Sequence, residues 1–312
     1  MLINQSILGS TTSAKQQMNT NYLDLNESIN GNKTAHPLVA WYDFTDMSTM
    51  HKDAGSTAVT ASGHVIGRIA NKAIPESGLT TRLGVYLEQD ELLNKPTFIS
   101  DGTIAGTVGR FDGAAHYLLG KKDSGNANGT NSFSAADISG VAYTTFCVVK
   151  HDSGNVSANE FVYSVQDGAA SFVGMLIRNV GGASDKWGFL FNDNVARVES
   201  LIDSGRSSST DLTIVMSVSN HVSAGTSKCT LQGMTLGTTV GNGLSYTYDL
   251  GGNDADAGMM IGARTKADLD VNPNSYFDGD INEILIYNGK MPDESQALIL
   301  SYLTSKYGIT KV

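Results

Sequence analysis

The chain has 312 residues, with 31 acidic against 21 basic side chains and a formal net charge of −10. No run of lysine or arginine interrupts that acidity, which excludes the electrostatic footprint of a nucleic-acid binder. No apolar stretch approaches the ~20 residues of a membrane-spanning helix, and no fixed-period repeat marks a solenoid or propeller.

Residues 1–37 are polar, rich in Asn, Gln, Ser and Thr. The opening Met1-Leu-Ile-Asn-Gln-Ser-Ile-Leu-Gly9 lacks a basic segment and a sustained apolar core, so no secretory signal is expected there and cytoplasmic synthesis is the default. Met18, Tyr22, Leu25 and Ile29 fall at spacings of four, three and four, one apolar seam of a short helix. A helix this short is marginal alone in water and must pack on something, either its own domain or a neighbouring subunit or partner. Gly31 and Pro37 bracket a linker, so the chain divides into an arm, 1–37, and a domain, 38–312.

From Leu38 the pattern is β. The 34 glycines against five prolines, with frequent Ser, Thr and Asn, suit many short strands joined by turns. Leu38 to Phe44 opens the domain, with further candidates near Val65–Ile69, Val85–Leu87 and Phe111–Leu119. Glu88 to Asn94 reads as a short acidic turn of helix, and Lys121 to Ser139 as a long surface loop. Val141–Lys150 is apolar on both faces, as a central strand requires. Phe161–Val165, Phe172–Ile177 and Trp187–Phe191 follow as a meander. Leu212, Ile214, Met216 and Val218 alternate with Thr213, Ser217 and Ser219, the clearest period-two signal in the chain. Cys229–Leu231 and Met259–Ala263 continue the series. Cys147 and Cys229 sit in strand-like runs, where cysteine packs as a small hydrophobe; a disulfide between them stays open.

The chain closes on Tyr276 to Gly308. Ile281–Tyr287 is rich in β-branched and aromatic residues between Gly279 and Gly289, the pattern of a buried strand. Pro292 suits the first helical position, and Asp293 and Glu294 favour the positive end of a helix dipole. Ile299, Leu300, Leu303 and Tyr307 form one apolar stripe; Lys306 sits in the last turn and Gly308 is a C-cap. This stretch resembles the C-terminal signature of laminin-G-like domains in the concanavalin A-like lectin/glucanase superfamily, "F-x-G-x-I-x-E-I-x-I-Y" running into a helix that ends in "K-Y-G". The matches are Phe277, Gly279, Ile281, Glu283, Ile284, Ile286 and Tyr287, then Ile299, Tyr302, Leu303, Lys306, Tyr307 and Gly308. The turn Gly289-Lys-Met-Pro292 departs from the usual pattern. Leu38–Asp46 resembles the family's opening strand and Gly109–Leu118 its "F-D-G" turn. The resemblance implies an all-β jelly-roll sandwich of two antiparallel sheets with one C-terminal helix.

The superfamily includes hydrolases with a Glu-x-Asp-x-x-Glu strand, in which alternation sets two carboxylates across a sugar. Glu88-Gln-Asp90-Glu91 lacks the third acid, and Asp278-Gly-Asp280-Ile-Asn-Glu283 overlies the structural strand. The six histidines are scattered singly, so no metal site and no catalytic set is expected. Oxygen-rich loops at Asn253–Asp256 and Asp268–Asp270 leave calcium as the one conceivable ion, and no cofactor is expected. There is no Gly-x-Ser-x-Gly elbow and no glycine-rich turn leading into a helix. For glycan binding, Trp187 beside Asn192, Asp193 and Asn194 is the candidate, with Tyr246 and Tyr248 behind it. Trp187 reads first as a core residue and second as a glycan platform.

The resemblance and the arm together imply a non-enzymatic structural protein of a tailed-phage virion, a head decoration or surface appendage made in the host cytoplasm. Its expected partners are capsid or tail proteins and sister copies, through Met18, Tyr22, Leu25 and Ile29. The alternatives are a glycan-binding adhesion module contacting host-surface glycans, and a glycoside hydrolase or polysaccharide lyase.

Overall fold

The computed structural model describes residues 38–53, 55–73, 86–121, 142–152, 159–167, 171–179, 185–193, 197–203, 212–220, 228–232, 239–240, 258–264 and 273–309. The chain divides at Pro37/Leu38 into two units. Met18, Tyr22, Leu25 and Ile29 therefore lie outside the described residues, as do Asn194, Tyr246, Tyr248 and both candidate calcium loops.

Residues 38–312 form a jelly-roll sandwich of two antiparallel sheets. In chain order the strands are β1 (Leu38–Asp43), β2 (Met50–His51), β3 (Arg68–Ala70), β4 (Tyr86–Glu88), β5 (Thr97–Ser100), β6 (Thr107–Asp112), β7 (Leu118–Lys121), β8 (Ala142–His151) and β9 (Asn159–Asp167). They continue as β10 (Ser171–Asn179), β11 (Asp185–Asp193), β12 (Arg197–Asp203), β13 (Thr213–Asn220), β14 (Lys228–Gln232), β15 (Thr239–Val240), β16 (Gly258–Ile261) and β17 (Asp278–Asn288). One helix, α1 (Asp293–Tyr307), follows.

The first sheet runs β15-β14-β13-β8-β17-β6-β5, with β1 also pairing β17; the second runs β12-β11-β10-β9-β16-β7-β4-β3-β2. β17 is the axis of the first sheet. Its early residues Asp278 to Ile281 pair with β6 and its later ones, Glu283 to Tyr287, with β1, while β8 runs along its other edge. A register shift between Ile281 and Glu283 separates the two halves. Inward residues of both sheets, among them Tyr42, Phe44, Phe111, Val149, Tyr163, Met175, Trp187 and Phe277, close one core.

Both faces of β8 are buried, as its sequence requires: Cys147 and Val149 in the core, Phe146 and Val148 alternating with them. Phe146 meets Tyr287 edge-on at 6.0 Å. α1 lies against β13 and buries Ile299, Leu300, Leu303 and Tyr307. The helix begins one residue later than the sequence suggests, because Pro292 takes an extended ψ of 151° and serves as the N-cap. Gly308, at φ 65°, is the expected left-handed cap, its N–H donating to the Thr304 carbonyl. The acidic stretch 88–94 is part strand and part 3-10 turn, the latter at Leu92–Asn94.

The disulfide question resolves on topology. Cys147 pairs with Val215 and Cys229 with Ser217, so β13 stands between them. Two strand spacings come to roughly 9–10 Å, beyond the reach of a disulfide.

Candidate functional site

Two polar clusters carry the sandwich's chemistry. The first is built by the closing signature. Glu283 is wholly buried, and three donors converge on it: Trp41 Nε1 to Oε1 at 2.6 Å, and Tyr307 OH at 2.7 Å and Lys306 Nζ at 2.8 Å to Oε2. Lys306 also reaches Asp43 Oδ2 at 3.2 Å, and Lys72 bonds the same oxygen at 2.7 Å while stacking 4.4 Å over the Trp41 ring. Burial pushes the Asp43 carboxyl up, but Lys306 and Lys72 outweigh it and hold it below the ordinary range. Burial pushes Glu283 up, with Lys306 opposing and Asp43 adding to the rise. This cluster ties β1, β17 and α1 together. An uncompensated charge in such a place is costly, so the residues are mutually required. Its donors and ion pairs close it on itself.

The second cluster lies at the end of the sandwich where β6, β8 and β17 terminate. Two Phe-Asp-Gly triplets meet there in antiparallel register, Asp112 opposite Asp278 and Phe111 opposite Gly279. Both phenylalanines point into the core, so each aspartate projects outward by alternation. Asp112 folds its own turn: its Oδ1 accepts the N–H groups of Ala114, Ala115 and His116 at 3.0, 2.9 and 2.9 Å. Those bonds hold its carboxyl below the ordinary range against the upward push of burial. Gly113 takes φ 69°, and a Cβ there would sit 2.7 Å from Asp278 Cβ. The turn delivers Tyr117, whose N–H donates to the Asn94 carbonyl at 3.0 Å and whose half-buried ring lies 6.5 Å from that of half-buried Tyr276.

Behind this pair, buried His151 Nε2 lies 2.9 Å from Glu160 Oε2, and the same oxygen accepts the Asp278 N–H at 3.1 Å. The contact joins β8 and β17 of one sheet to β9 of the other. Neighbouring Asp280 is held by Arg110 through two bonds, at 2.7 and 2.8 Å. Asp278 alone of these acids has a side chain that accepts no hydrogen bond among the described residues. Burial, followed by Glu160, raises its carboxyl's pKa, with His151 opposing and Asp152 and Asp112 adding to the rise.

The residues singled out from sequence divide. Trp187 is fully buried, paired with Ile177 on β10 and 6.3 Å from Phe277, so its ring is core and offers no platform to a sugar. That corrects its candidacy: the strand's alternation turns it inward between the sheets. Asn192 and Asp193 close β11 opposite Phe172 and Ser171. The acids of the Asp278-Gly-Asp280-Ile-Asn-Glu283 stretch do not face one another across an opening. Glu283 is in the clamp and Asp280 is bonded to Arg110. Glu88 pairs with Arg68. Tyr117 and Tyr276 were not singled out, although the repeated Phe-Asp-Gly triplet beside each was in the sequence to be read.

No protein-family model and no curated protein sequence matches the chain. Among solved structures, it is similar to the carbohydrate-binding CBM40 domain of the Ruminococcus gnavus IT-sialidase bound to α2,3-sialyllactose, at 14% identity and a TM-score of 0.41, covering 53% of this chain and 85% of that one. It is also similar to the Trypanosoma rangeli sialidase, at 11% identity and a TM-score of 0.43, covering 93% of this chain and 39% of that one. A third is the leech intramolecular trans-sialidase, at 14% identity and a TM-score of 0.40, covering 57% of this chain and 24% of that one. At these scores neither a family nor an activity is assigned to this chain.

Proposed function

We propose that the chain is a non-enzymatic structural protein of a tailed-phage virion, held to capsid or tail by residues 1–37, that displays its sandwich as a glycan-binding module. The observation that carries the binding role is the Tyr117–Tyr276 pair, with Asp278, two positions along the chain from Tyr276, accepting no hydrogen bond among the described residues. Aromatic faces with a nearby acceptor suit the alternating C–H and O–H surfaces of a sugar. The anchoring role is supported by the apolar seam Met18, Tyr22, Leu25 and Ile29 in an otherwise polar leader. Many copies on one particle make a weak site useful through avidity.

Two measurements on the full-length chain test the two halves of this reading. A glycan array is expected to show binding that Tyr117→Ala and Tyr276→Ala each abolish; a blank array, or binding indifferent to both substitutions, overturns the glycan role. Tyr22→Glu with Leu25→Glu is expected to prevent incorporation into particles, and unchanged incorporation overturns the anchor. Turnover of a β-glucan or an alginate would overturn the non-enzymatic assignment.

A further inference from the structure

The polar groups around the tyrosine pair narrow the class of glycan. Asp112 has one oxygen committed to three backbone N–H groups and the other 3.5 Å from His116 Nε2. Glu160 is engaged by His151 and by the Asp278 N–H, and Asp280 by Arg110. Among the described residues the Asp278 carboxylate accepts no hydrogen bond, and it stands on the same outward alternation as Tyr276, since Phe277 between them is fully buried. Tyr117 and Tyr276 are half-buried and the Asp278 carboxylate is partly desolvated, with Asp112 directly across the ladder and exposed Asp152 donating its N–H to the Asp278 carbonyl at 3.0 Å. Of the cations on the adjoining strands, Arg110 is spent on Asp280, and Lys150 stands opposite Asp280, one rung beyond Gly279.

We propose, building on the glycan-binding reading above, that this rim selects sugars bearing a free amine, with Asp278 as the ammonium's partner, and rejects anionic sugars. Two independent features point the same way. A carboxylate–ammonium hydrogen bond is charge-assisted and gains strength where water is partly excluded. A cation also lies favourably over a tyrosine face. A sugar carboxylate placed on the same pair meets Asp112, Asp152 and Asp278, and like charges at an interface select against the wrong partner.

Titration calorimetry on the full-length chain with four probes decides it: a glucosamine tetrasaccharide, its fully N-acetylated counterpart, 3′-sialyllactose and a tetralysine peptide. The glucosamine oligomer is expected to bind about ten-fold or more tightly than the other three. Asp278→Asn is expected to bring the two tetrasaccharides to near-equal affinity with an unchanged melting temperature. Tyr276→Ala is expected to remove both. Amine selection is overturned if 3′-sialyllactose or the acetylated oligomer binds as tightly, or if the preference survives Asp278→Asn. Tetralysine binding as well as the amino sugar assigns the attraction to bare charge and overturns it too. Sugars bound without an amine preference leave the glycan reading standing, whereas no binding of any sugar removes both.

Discussion

Trp41 and Glu283, 242 residues apart in sequence, are joined by a 2.6 Å hydrogen bond from the indole N–H to a carboxylate with no exposed surface. The bond spans the strand that opens the sandwich and the strand that closes it. Lys306 and Tyr307 complete the shell from the helix. An acid in the middle of a signature strand invites a catalytic reading, but its three donors and its burial give it the work of fastening the two ends of the domain.

Removing one side of that clamp strands a buried charge. Lys306→Met, which leaves Glu283 without its cation, is expected to cost about 3–5 kcal/mol. Trp41→Phe, which removes one donor and keeps most of the ring, is expected to cost about 1–3 kcal/mol. Urea unfolding followed by fluorescence and circular dichroism checks both. A loss below half a kcal/mol, on the order of a surface change, for Lys306→Met would mean the clamp does not hold the ends.

The same cluster sets an acid limit. Asp43 has a folded-state pKa below its unfolded value, so the native state binds its proton less readily than the unfolded chain. Its contribution is present above the ordinary aspartate range and is lost as pH falls through the depressed folded value. Thermal melts from pH 7 downward are expected to lose stability in that acidic window, and Asp43→Asn is expected to flatten this part of the profile. An unchanged slope in the variant would contradict the assignment.

His151 and Glu160 bridge the sheets with both side chains nearly out of water. Glu160→Ala deprives the His151 ring and the Asp278 N–H of an acceptor together. The expected cost is about 1–3 kcal/mol, from the acceptor lost to a buried ring and a partly buried N–H. Amide exchange is expected to quicken at Asp278 and Asp152 before it does at Leu285, which lies in the clamped half of β17. Uniform quickening would indicate a global effect instead.

Gly113→Ala tests the turn that presents Tyr117. Its positive φ and the 2.7 Å approach to Asp278 Cβ both oppose a side chain. A cost of about 1–3 kcal/mol is expected. Loss of glycan binding is expected at temperatures where the fold persists, because Tyr117 follows the turn. Retained binding with a lowered melting temperature would separate the turn from the site.

Local pattern and the closing motif were enough to read the sandwich, its central strands and the closing helix. β8, β13 and β17 carry long apolar or alternating runs because two neighbours and a core bury them, so local pattern and tertiary fate agree. The strands that escaped the reading are β2, β5, β12 and β15, and these are the four ends of the two sheet paths. An edge strand has one partner and needs little apolar alternation, so its sequence says little. The clamp was legible only as a motif: Glu283, Lys306 and Tyr307 stood out, but nothing local revealed that Trp41, Asp43 and Lys72 complete it. The candidate site was less legible still. Tyr117 and Tyr276 are ordinary tyrosines in the chain, and Trp187 was the more conspicuous aromatic. Only the tertiary structure put Trp187 in the core and set the two Phe-Asp-Gly turns side by side, because register across β6 and β17 depends on the whole sheet closing.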